Sequence, residues 1–391
     1  MSNDNPTPAK PWYNRLNSKW IGWIVSAILV PILIALLTRQ PLPTPPPPPD
    51  EPIIVQQTGD NGTDERQIQQ AIATGRKVYT TGWHRDPAAV AAVQGTLPFR
   101  VFADTPAGQV HDLPPSVYLW QAYAQLPIRG PPSKDQRAVG SCVSFGTNNA
   151  IERTIAAAIA NGARLEFKLL AEEVTYGGSR VEVGGGRIRG DGSTGAWAAQ
   201  FVQKWGVVSR EQHGRHDLRE YNEARCREFG RTGVPDELET LAREHPVKAI
   251  TRVGNWFEAK QALASGYGLA VCSNQGFTMR RDANGVAQPS GSWAHCMCID
   301  GYHSEGSREY AHIENSWGPD AHTGPVGWGN PPTSGFWIEA RVAERMIVNG
   351  GDTWAFSDVQ GFPARRLDWF IERKRPTPRE RFAGPVFALG L

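Results

Sequence analysis

The sequence has little net charge and few cysteines for its length. Its 391 residues include 41 lysines and arginines against 39 aspartates and glutamates, a formal net charge of +2. This balance gives no support for nucleic-acid binding, which usually requires an excess of positive charge. Five cysteines leave few possible disulfides, which argues against an oxidising compartment. The length suits one full-sized domain with appendages.

Charged residues are absent from one N-terminal stretch. The run from Trp20 to Leu37 carries no charge, and about 17 to 25 apolar residues suffice to cross a bilayer. We predict a transmembrane helix over residues 20–38, after a cytoplasmic segment of residues 1–19. The run ends without a small-x-small cleavage site, so an uncleaved anchor is favoured over a signal peptide.

Flanking charges predict the orientation of this helix. Lys10, Arg15 and Lys19 precede it, and only Arg39 follows closely. The positive-inside rule therefore places the N-terminus in the cytoplasm and the rest of this single-pass membrane protein outside. We give this rule more weight than the shortage of cysteines. Residues 39–52 contain five consecutive prolines and predict a polyproline II linker.

A polar, turn-prone stretch at residues 134–149 brings a cysteine to the start of a predicted helix. Ile151 and Ile155 belong to an apolar stripe on that helix, and Gly162 predicts its end. Unpaired N–H groups and the positive end of the helix dipole favour a thiolate at Cys142. We therefore predict a nucleophilic sulfur, which requires a base.

Two later stretches offer polar partners for the cysteine. Residues 293–302 predict a strand with His295 near its start. Residues 310–318 predict a second strand that ends at Asn315. The order along the chain is cysteine, histidine, asparagine.

These blocks, taken together, resemble the papain-like cysteine peptidases. Gln136 and Cys142 match the glutamine and Gly-x-Cys block of that family, His295 its histidine block, and residues 315–318 its Asn-Ser-Trp-Gly block. The resemblance spans residues 113–347 and implies a papain-like peptidase domain there. It implies an α+β, two-lobed fold, with a helical lobe and a β-rich lobe, behind the transmembrane helix.

The resemblance also implies a role for each residue. Cys142 and His295 would form a thiolate–imidazolium pair that hydrolyses peptide bonds through an acyl-enzyme thioester. Asn315 would orient the imidazole, and Trp317 would shield that hydrogen bond from water. Gln136 and the backbone N–H of the cysteine would form the oxyanion hole. The chemistry needs no metal or organic cofactor.

Substrate binding is implied at two further positions. Gly192 and Ser193 fall where the family has two glycines whose backbone pairs with an extended substrate peptide. Ser193 departs from that pattern, and we expect its side chain to narrow the cleft. The glycine-rich stretch before it, residues 176–190, lacks the lysine and helix of a phosphate-binding loop and predicts a flexible surface loop.

The remaining segments carry weaker patterns. Within residues 53–112, residues 64–75 predict a helix and residues 96–103 a strand. We interpret residues 53–112 as a packed N-terminal extension, with a reduced inhibitory pro-segment as the alternative. Residues 348–391 contain several arginines and predict a basic C-terminal tail.

The other cysteines are interpreted as small buried hydrophobic residues. The family often pairs a cysteine three residues before the nucleophile, and that position is Val139 here, so the bond cannot form. Cys296 and Cys298 share one strand face and lie too close along the chain to bridge each other. A zinc site with His295 is disfavoured because strand alternation turns the imidazole away from both thiols.

The leading hypothesis is a membrane-tethered, monomeric endopeptidase that acts on peptide or protein substrates. One alternative is a catalytically silent papain-like module that binds peptides or scaffolds a surface assembly. Another keeps the nucleophile but changes the acceptor, which gives a transpeptidase or amidase.

Overall fold

Helices occupy much of the first half of the described chain, and strands much of the second. The computed structural model describes residues 51–367 except residues 129 and 246. The helices are α1 (Asn61–Ala73), α2 (Pro87–Gly95), α3 (Cys142–Ala160), α4 (Glu172–Gly178), α5 (Gly195–Lys204), α6 (Glu223–Thr232), α7 (Asp236–Arg243), α8 (Trp256–Ala264) and α9 (Ala340–Gly350). Short 3-10 turns cover Phe102–Asp104, Ala107–Gln109 and Leu119–Gln125.

The strands are β1 (Ile53–Val55), β2 (Val78–Thr80), β3 (Ser116–Tyr118), β4 (Gln212–His213), β5 (His216–Asp217), β6 (Ala249–Arg252), β7 (Leu269–Phe277), β8 (Pro289–Glu305), β9 (Arg308–Glu314), β10 (Gly335–Glu339) and β11 (Asp352–Ser357). The main sheet has the order β10-β9-β8-β7-β11-β6, and β3 pairs with β8. Its neighbouring strands are antiparallel. The α+β class predicted from the sequence is confirmed.

Both faces of the sheet are buried, and strand alternation assigns side chains to two cores. Val271 and Ile299 lie in the core that also contains residues of α8 and α9. Ala270 and Cys298 point to the opposite core, which contains residues of α3 and α5. Successive side chains of a strand point to opposite faces, so the sheet separates one core from the other.

Helix α3 is deeply buried, and nearly all of its residues are inaccessible to solvent. It begins at Cys142 and ends at Ala160, and Gly162 takes a left-handed φ of 90° just beyond it. Glycine adopts this conformation without strain, which is why it commonly follows a helix. The predicted helix, with a cysteine in its first turn and a glycine at its end, is confirmed.

The N-terminal extension packs on the domain and leads into the site. Parallel strands β1 and β2 pair, and Val55 packs with Ile68 of α1 in a small core. This confirms the helix predicted near residues 64–75. The strand predicted at residues 96–103 is wrong: a turn, a bend, an isolated bridge at Val101 and the start of a 3-10 turn occupy it.

Two further expectations differ from the structure. Residues 348–391 were expected to form a tail, yet β11 is fully buried and lies between β7 and β6 in the main sheet.

Residues 176–190 do not form a flexible surface loop throughout. Their first part belongs to the buried helix α4 and to a π-helical turn over Ser179–Val183. Arg180, in that turn, donates to the carbonyls of Gly190 and Gly230. These bonds hold the glycine-rich stretch against the helix.

Within residues 51–367, no helix has the length and hydrophobicity needed to cross a membrane. The transmembrane helix predicted at residues 20–38, the segment before it and the proline-rich linker up to residue 50 lie outside the described residues. The same holds for the basic residues predicted after residue 367.

Candidate active site

Cys142 occupies the first position of α3 and is completely buried. The backbone N–H groups of Cys296 and Gly82 contact its sulfur. Although these contacts favour a thiolate, burial raises the pKa of the Cys142 thiol to about 12. Burial therefore opposes the predicted thiolate in this form of the protein, because the loss of solvent outweighs the backbone donors near the sulfur.

His295 lies on β8, directly opposite Ser273 of β7. The next residue on the strand, Cys296, directs its backbone N–H to the Cys142 sulfur, so the imidazole and the thiol meet at one site. The His295 Nε2 lies 2.8 Å from the Asn315 Oδ1. Burial lowers the pKa of His295 to about 4, and the hydrogen bond with Asn315 opposes that change.

Asn315 directly follows β9, and its side-chain oxygen accepts a hydrogen bond from the main chain. The Ser316 N–H donates to the Asn315 Oδ1 at 2.7 Å. Trp317 stacks on the His295 ring, with ring centroids 4.6 Å apart and planes inclined by 28°. The indole thus lies over the imidazole that is bonded to the Asn315 amide, and the shielding of that bond from water stays a prediction.

Gln136 lies beside these residues, and both ends of its amide are bonded. Its Nε2 donates to the Val139 carbonyl at 2.9 Å and to the Thr80 carbonyl at 3.0 Å. The Ser316 hydroxyl donates to its Oε1 at 2.6 Å. The Trp317 Nε1 also donates to the Thr80 carbonyl, at 2.9 Å. Two side-chain donors of the site therefore bind a main-chain carbonyl from the N-terminal extension.

Residues 80–84, here called the cleft segment, cross the site as an extended chain. The Trp83 N–H donates to the Ala294 carbonyl at 2.9 Å. On the other side, the Ser193 N–H donates to the Gly82 carbonyl and the His84 N–H donates to the Ser193 carbonyl, both at 2.8 Å. The backbone at Ser193 thus pairs with an extended segment of the same chain, and the substrate binding predicted at Gly192 and Ser193 stays a prediction.

The side chain of Ser193 does not narrow the cleft. Its hydroxyl lies 2.8 Å from that of Ser179 and is buried in the interior. Gly192 has a φ of 111°, and a β-carbon there would lie 2.2 Å from the His84 Nε2. A side chain at Gly192 would therefore clash with the cleft segment. The expectation that Ser193 constricts the cleft is wrong because its side chain turns inward.

Trp83 anchors the cleft segment through its side chain. It is 2% exposed, and its Nε1 donates to the Asp352 Oδ2 at 2.8 Å. Asp352 also accepts from the Gly195 N–H at 2.8 Å and from the Trp354 Nε1 at 2.7 Å. Burial raises the pKa of Asp352, while these donors oppose the change.

Two of the cysteines interpreted as small hydrophobic residues form a disulfide. Cys272 and Cys296 face each other on β7 and β8 and are bonded. Cys142, Cys226 and Cys298 are free and buried. The disulfide occupies one of the thiols that a zinc site with His295 would have required.

A second buried cluster lies apart from the cysteine and contains Asp300, His312 and Glu314, whose potential ligand atoms lie within 4.8 Å of one another. The Arg153 Nε donates to the Asp300 Oδ2 at 2.8 Å, and the Arg153 Nη2 lies 3.8 Å from the Glu314 Oε2. His312 Nδ1 lies 2.6 Å from the other Asp300 oxygen. A guanidinium already supplies positive charge to these carboxylates, so the cluster is an internal ion network.

Sequence reasoning missed three contributors to the site: the cleft segment, Asp352 and His322. His322 lies seven residues after Asn315, and its Nε2 is 3.1 Å from the Asn315 Nδ2. None of the three belongs to a pattern that could be read locally. The one local signal is Gly82, which Trp83 follows, because a glycine in an extended segment often marks a place where another backbone approaches closely.

Comparisons with known proteins add a family to this geometry. The family model described as papain family cysteine protease matches residues 126–331, more than half of the chain. Among solved structures, the chain is similar to xylellain, a cysteine protease from Xylella fastidiosa, with 16% identity, a TM-score of 0.44, and 72% of this chain and 92% of that chain covered.

Two proforms show a comparable similarity. Digestive procathepsin L 3 of the Tenebrio molitor larval midgut has 14% identity and a TM-score of 0.42, with 76% of this chain and 87% of that chain covered. ProCathepsin B S9 from Trypanosoma congolense has 14% identity and a TM-score of 0.41, with 76% and 98% covered. A comparison with curated proteins gives no match.

Proposed function

Because the chain belongs to the papain family of cysteine proteases, we propose that it is a peptidase that uses Cys142, His295 and Asn315 as its catalytic triad. The protein is thus a papain-like hydrolase, and peptides or proteins are its substrates. The observation that carries the proposed triad is the bond between His295 and Asn315 directly beside the residue that contacts the sulfur. The Cys296 N–H reaches the sulfur, and the adjoining His295 lies 2.8 Å from the Asn315 Oδ1.

In the proposed reaction, the Cys142 sulfur loses its proton to His295 and attacks the carbonyl carbon of a substrate peptide. His295 then gives the proton to the leaving amine, and an acyl-enzyme thioester remains for hydrolysis by water. Asn315 keeps the proton-bearing Nε2 in place. Gln136 supplies one donor to the oxyanion, and its present bond to the Thr80 carbonyl supports that role.

We further propose that this structure represents a latent form. The Gly82 N–H lies beside the sulfur and donates to the Ala294 carbonyl at 3.2 Å. The cleft segment thus occupies the backbone of Ala294 and Ser193, and an extended substrate cannot pair with the same groups while it is there. Residues 53–112 would then act as an inhibitory pro-segment, the alternative raised by the sequence, and activation requires withdrawal of residues 80–84.

The location of the enzyme follows from the sequence alone. The uncharged run at residues 20–37 and the cluster of Lys10, Arg15 and Lys19 before it support an anchor with a cytoplasmic N-terminus. We propose that the peptidase domain faces away from the cytoplasm as a monomer. Protease accessibility of the domain in sealed vesicles tests this orientation.

Peptidase activity is tested with the full chain and its Cys142→Ala variant on a mixed peptide library. Both proteins are assayed before and after limited proteolysis of the cleft segment. We expect cleavage only by the treated protein with Cys142 intact. Equal cleavage by the Cys142→Ala variant would assign the activity to another residue or to a contaminant.

The silent peptide-binding module remains the second candidate, and the high pKa of the buried Cys142 thiol favours it in the covered form. Iodoacetamide labelling separates the two functions. After removal of the cleft segment, an active peptidase should be alkylated at Cys142 near pH 6. Labelling of the free thiols only at alkaline pH would support the silent module.

A further inference from the structure

The Asn315 amide lies between two imidazole rings. Its Oδ1 faces the His295 Nε2 at 2.8 Å, and its Nδ2 faces the His322 Nε2 at 3.1 Å. All three side chains are at most 3% exposed. The amide is therefore shielded from bulk solvent, and loss of either contact would leave a buried polar group without its partner.

The two ends of the amide have opposite hydrogen-bonding requirements. An asparagine Nδ2 can only donate, so the His322 Nε2 must be an unprotonated acceptor. An asparagine Oδ1 can only accept, so the His295 Nε2 carries a proton. The Ser316 N–H also donates to Oδ1, at 2.7 Å, which independently fixes which end of the amide faces His295.

We propose that His322 is a positioning residue that locks the Asn315 amide in the orientation required by the catalytic imidazole. This inference rests on the proposed triad. If the amide rotated by half a turn, Nδ2 would face the His295 Nε2–H and donor would meet donor. Such an arrangement disfavours the imidazolium that must pair with the thiolate.

The surroundings hold His322 in place as a neutral acceptor. Its ring packs on that of Phe336, with centroids 4.4 Å apart. The Arg281 Nη2 donates to the carbonyl of His322 at 3.1 Å and to that of Gly324 at 2.9 Å, which fixes the main chain on both sides of the ring.

Electrostatics favour the same neutral form. Burial, with smaller contributions from Arg281 and His295, lowers the pKa of His322 to about 3, and the Thr278 backbone opposes the change. The ring therefore stays uncharged over the pH range in which the peptidase would work, and its Nε2 remains available to Asn315.

The tautomer of His322 can be measured without any activity. In the full chain with 15N-labelled histidine, two-bond 1H–15N correlation spectra show which nitrogen of each ring carries the proton, and the His322→Met variant identifies the signals of His322. We expect a protonated Nδ1 and an unprotonated Nε2. Protonation at Nε2 would overturn the proposal.

Kinetics then test the role in catalysis. His322→Met keeps a side chain of similar length without an acceptor, whereas His322→Gln offers an oxygen near the position of Nε2. With all variants activated in the same way, we expect His322→Met to lower kcat about tenfold with little change in KM, the effect of one lost hydrogen bond, and His322→Gln to recover most of the loss. Equal losses in the two variants would indicate mere packing and refute the role.

A double-mutant cycle with Asn315→Ala separates positioning from general damage. Once the amide is absent, His322→Met should cause no further loss in kcat. A loss of the same size in both backgrounds would refute coupling through Asn315. If Cys142→Ala is as active as the unchanged protein, the proposed triad fails, whereas the tautomer measurement still decides how His322 and Asn315 are paired.

Discussion

The backbones of Gly82 and Gly140 approach so closely that a β-carbon on Gly82 would lie 1.9 Å from the Gly140 carbonyl oxygen. Gly140 belongs to the loop that delivers Cys142 to α3, and the Gly82 N–H, which donates to the Ala294 carbonyl at 3.2 Å, lies beside the Cys142 sulfur. The cleft segment can reach the sulfur only because residue 82 has no side chain.

Gly82→Ala should therefore displace the cleft segment. The overlap with main-chain atoms cannot be relieved by rotating a side chain, so the segment must move away. We expect alkylation of Cys142 by iodoacetamide at pH 7 to become at least about tenfold faster, measured by mass spectrometry of the labelled peptides. Gly95→Ala is the control, because a β-carbon there meets nothing within 4 Å. Equal labelling of both variants would contradict the proposed role of Gly82.

Trp83→Phe should loosen the same segment by a smaller amount. Phenylalanine keeps an aromatic ring in the site but cannot donate to Asp352, and one neutral donor to a buried acceptor contributes about 1 kcal/mol or slightly more. Hydrogen exchange of the amides of residues 82–84 should become about five- to tenfold faster. Trp205→Phe, which changes a tryptophan stacked on Phe201, should leave those amides unchanged. Unaltered exchange in Trp83→Phe would show that the indole N–H does not hold the segment.

Trp317 has two separable roles. Trp317→Phe keeps a ring over His295 but loses the indole donor to the Thr80 carbonyl, so we expect easier release of the cleft segment with kcat of the activated enzyme within about threefold of normal. Trp317→Ala removes the cover as well, and kcat should fall by at least about tenfold because water can reach the bond between His295 and Asn315. Steady-state kinetics after identical activation compare the two. Equal kcat values for both variants would contradict the shielding role.

Acid should favour opening of the cleft segment. Burial lowers the pKa of His295 to about 4 from its ordinary value of 6.5. The covered form is therefore stabilised by the neutral imidazole above about pH 6.5. This stabilisation is lost as the pH falls toward 4. The loss at pH 4 is at most about 3 kcal/mol if opening restores an ordinary pKa. Hydrogen exchange of residues 82–84, corrected for the intrinsic pH dependence, measures it. In His295→Gln, acid should increase the hydrogen exchange of residues 82–84 by a smaller factor. An increase as large as in the unchanged protein would show that other groups, such as His322, cause the opening.

The buried ion network should contribute strongly to stability through its single arginine. Arg153→Met leaves Asp300 and Glu314 as buried carboxylates without their cation, and we expect a loss of about 3–5 kcal/mol in the free energy of unfolding. Arg341→Met removes an exposed partner of Glu339 and should cost less than about 1 kcal/mol. Urea unfolding followed by tryptophan fluorescence compares the two. Similar small losses would show that the network tolerates an uncompensated charge.

The parts of the site that depend on local patterns could be predicted from the sequence. The helix that starts at Cys142, the strand that carries His295 and the strand that ends before Asn315 each produce a periodicity or a motif within a few residues. Their catalytic roles stay predictions, but their placement at one site follows from the fold.

The parts that were missed depend on contacts between distant residues. The cysteines of the disulfide are 24 residues apart along the chain and meet through the register of β7 and β8, and no spacing rule contains that register. The high pKa of the Cys142 thiol arises from its complete burial, which depends on packing between distant parts of the chain, and the cleft segment beside it has no repeat or charge pattern. Strand β11 was not predicted, because it is only six residues long and precedes several arginines, a pattern typical of a C-terminal tail.

The position of β11 has a consequence for the order in which the protein matures. Strands β7 and β6 are joined in the sheet only through β11, and β11 also supplies Asp352 to the anchor of Trp83. A nascent chain that has already exposed Cys142, His295 and Asn315 to solvent still lacks this strand until residues 352–357 emerge from the ribosome. Completion of the main sheet and of the Asp352 anchor for Trp83 thus both depend on the same late stretch of translation.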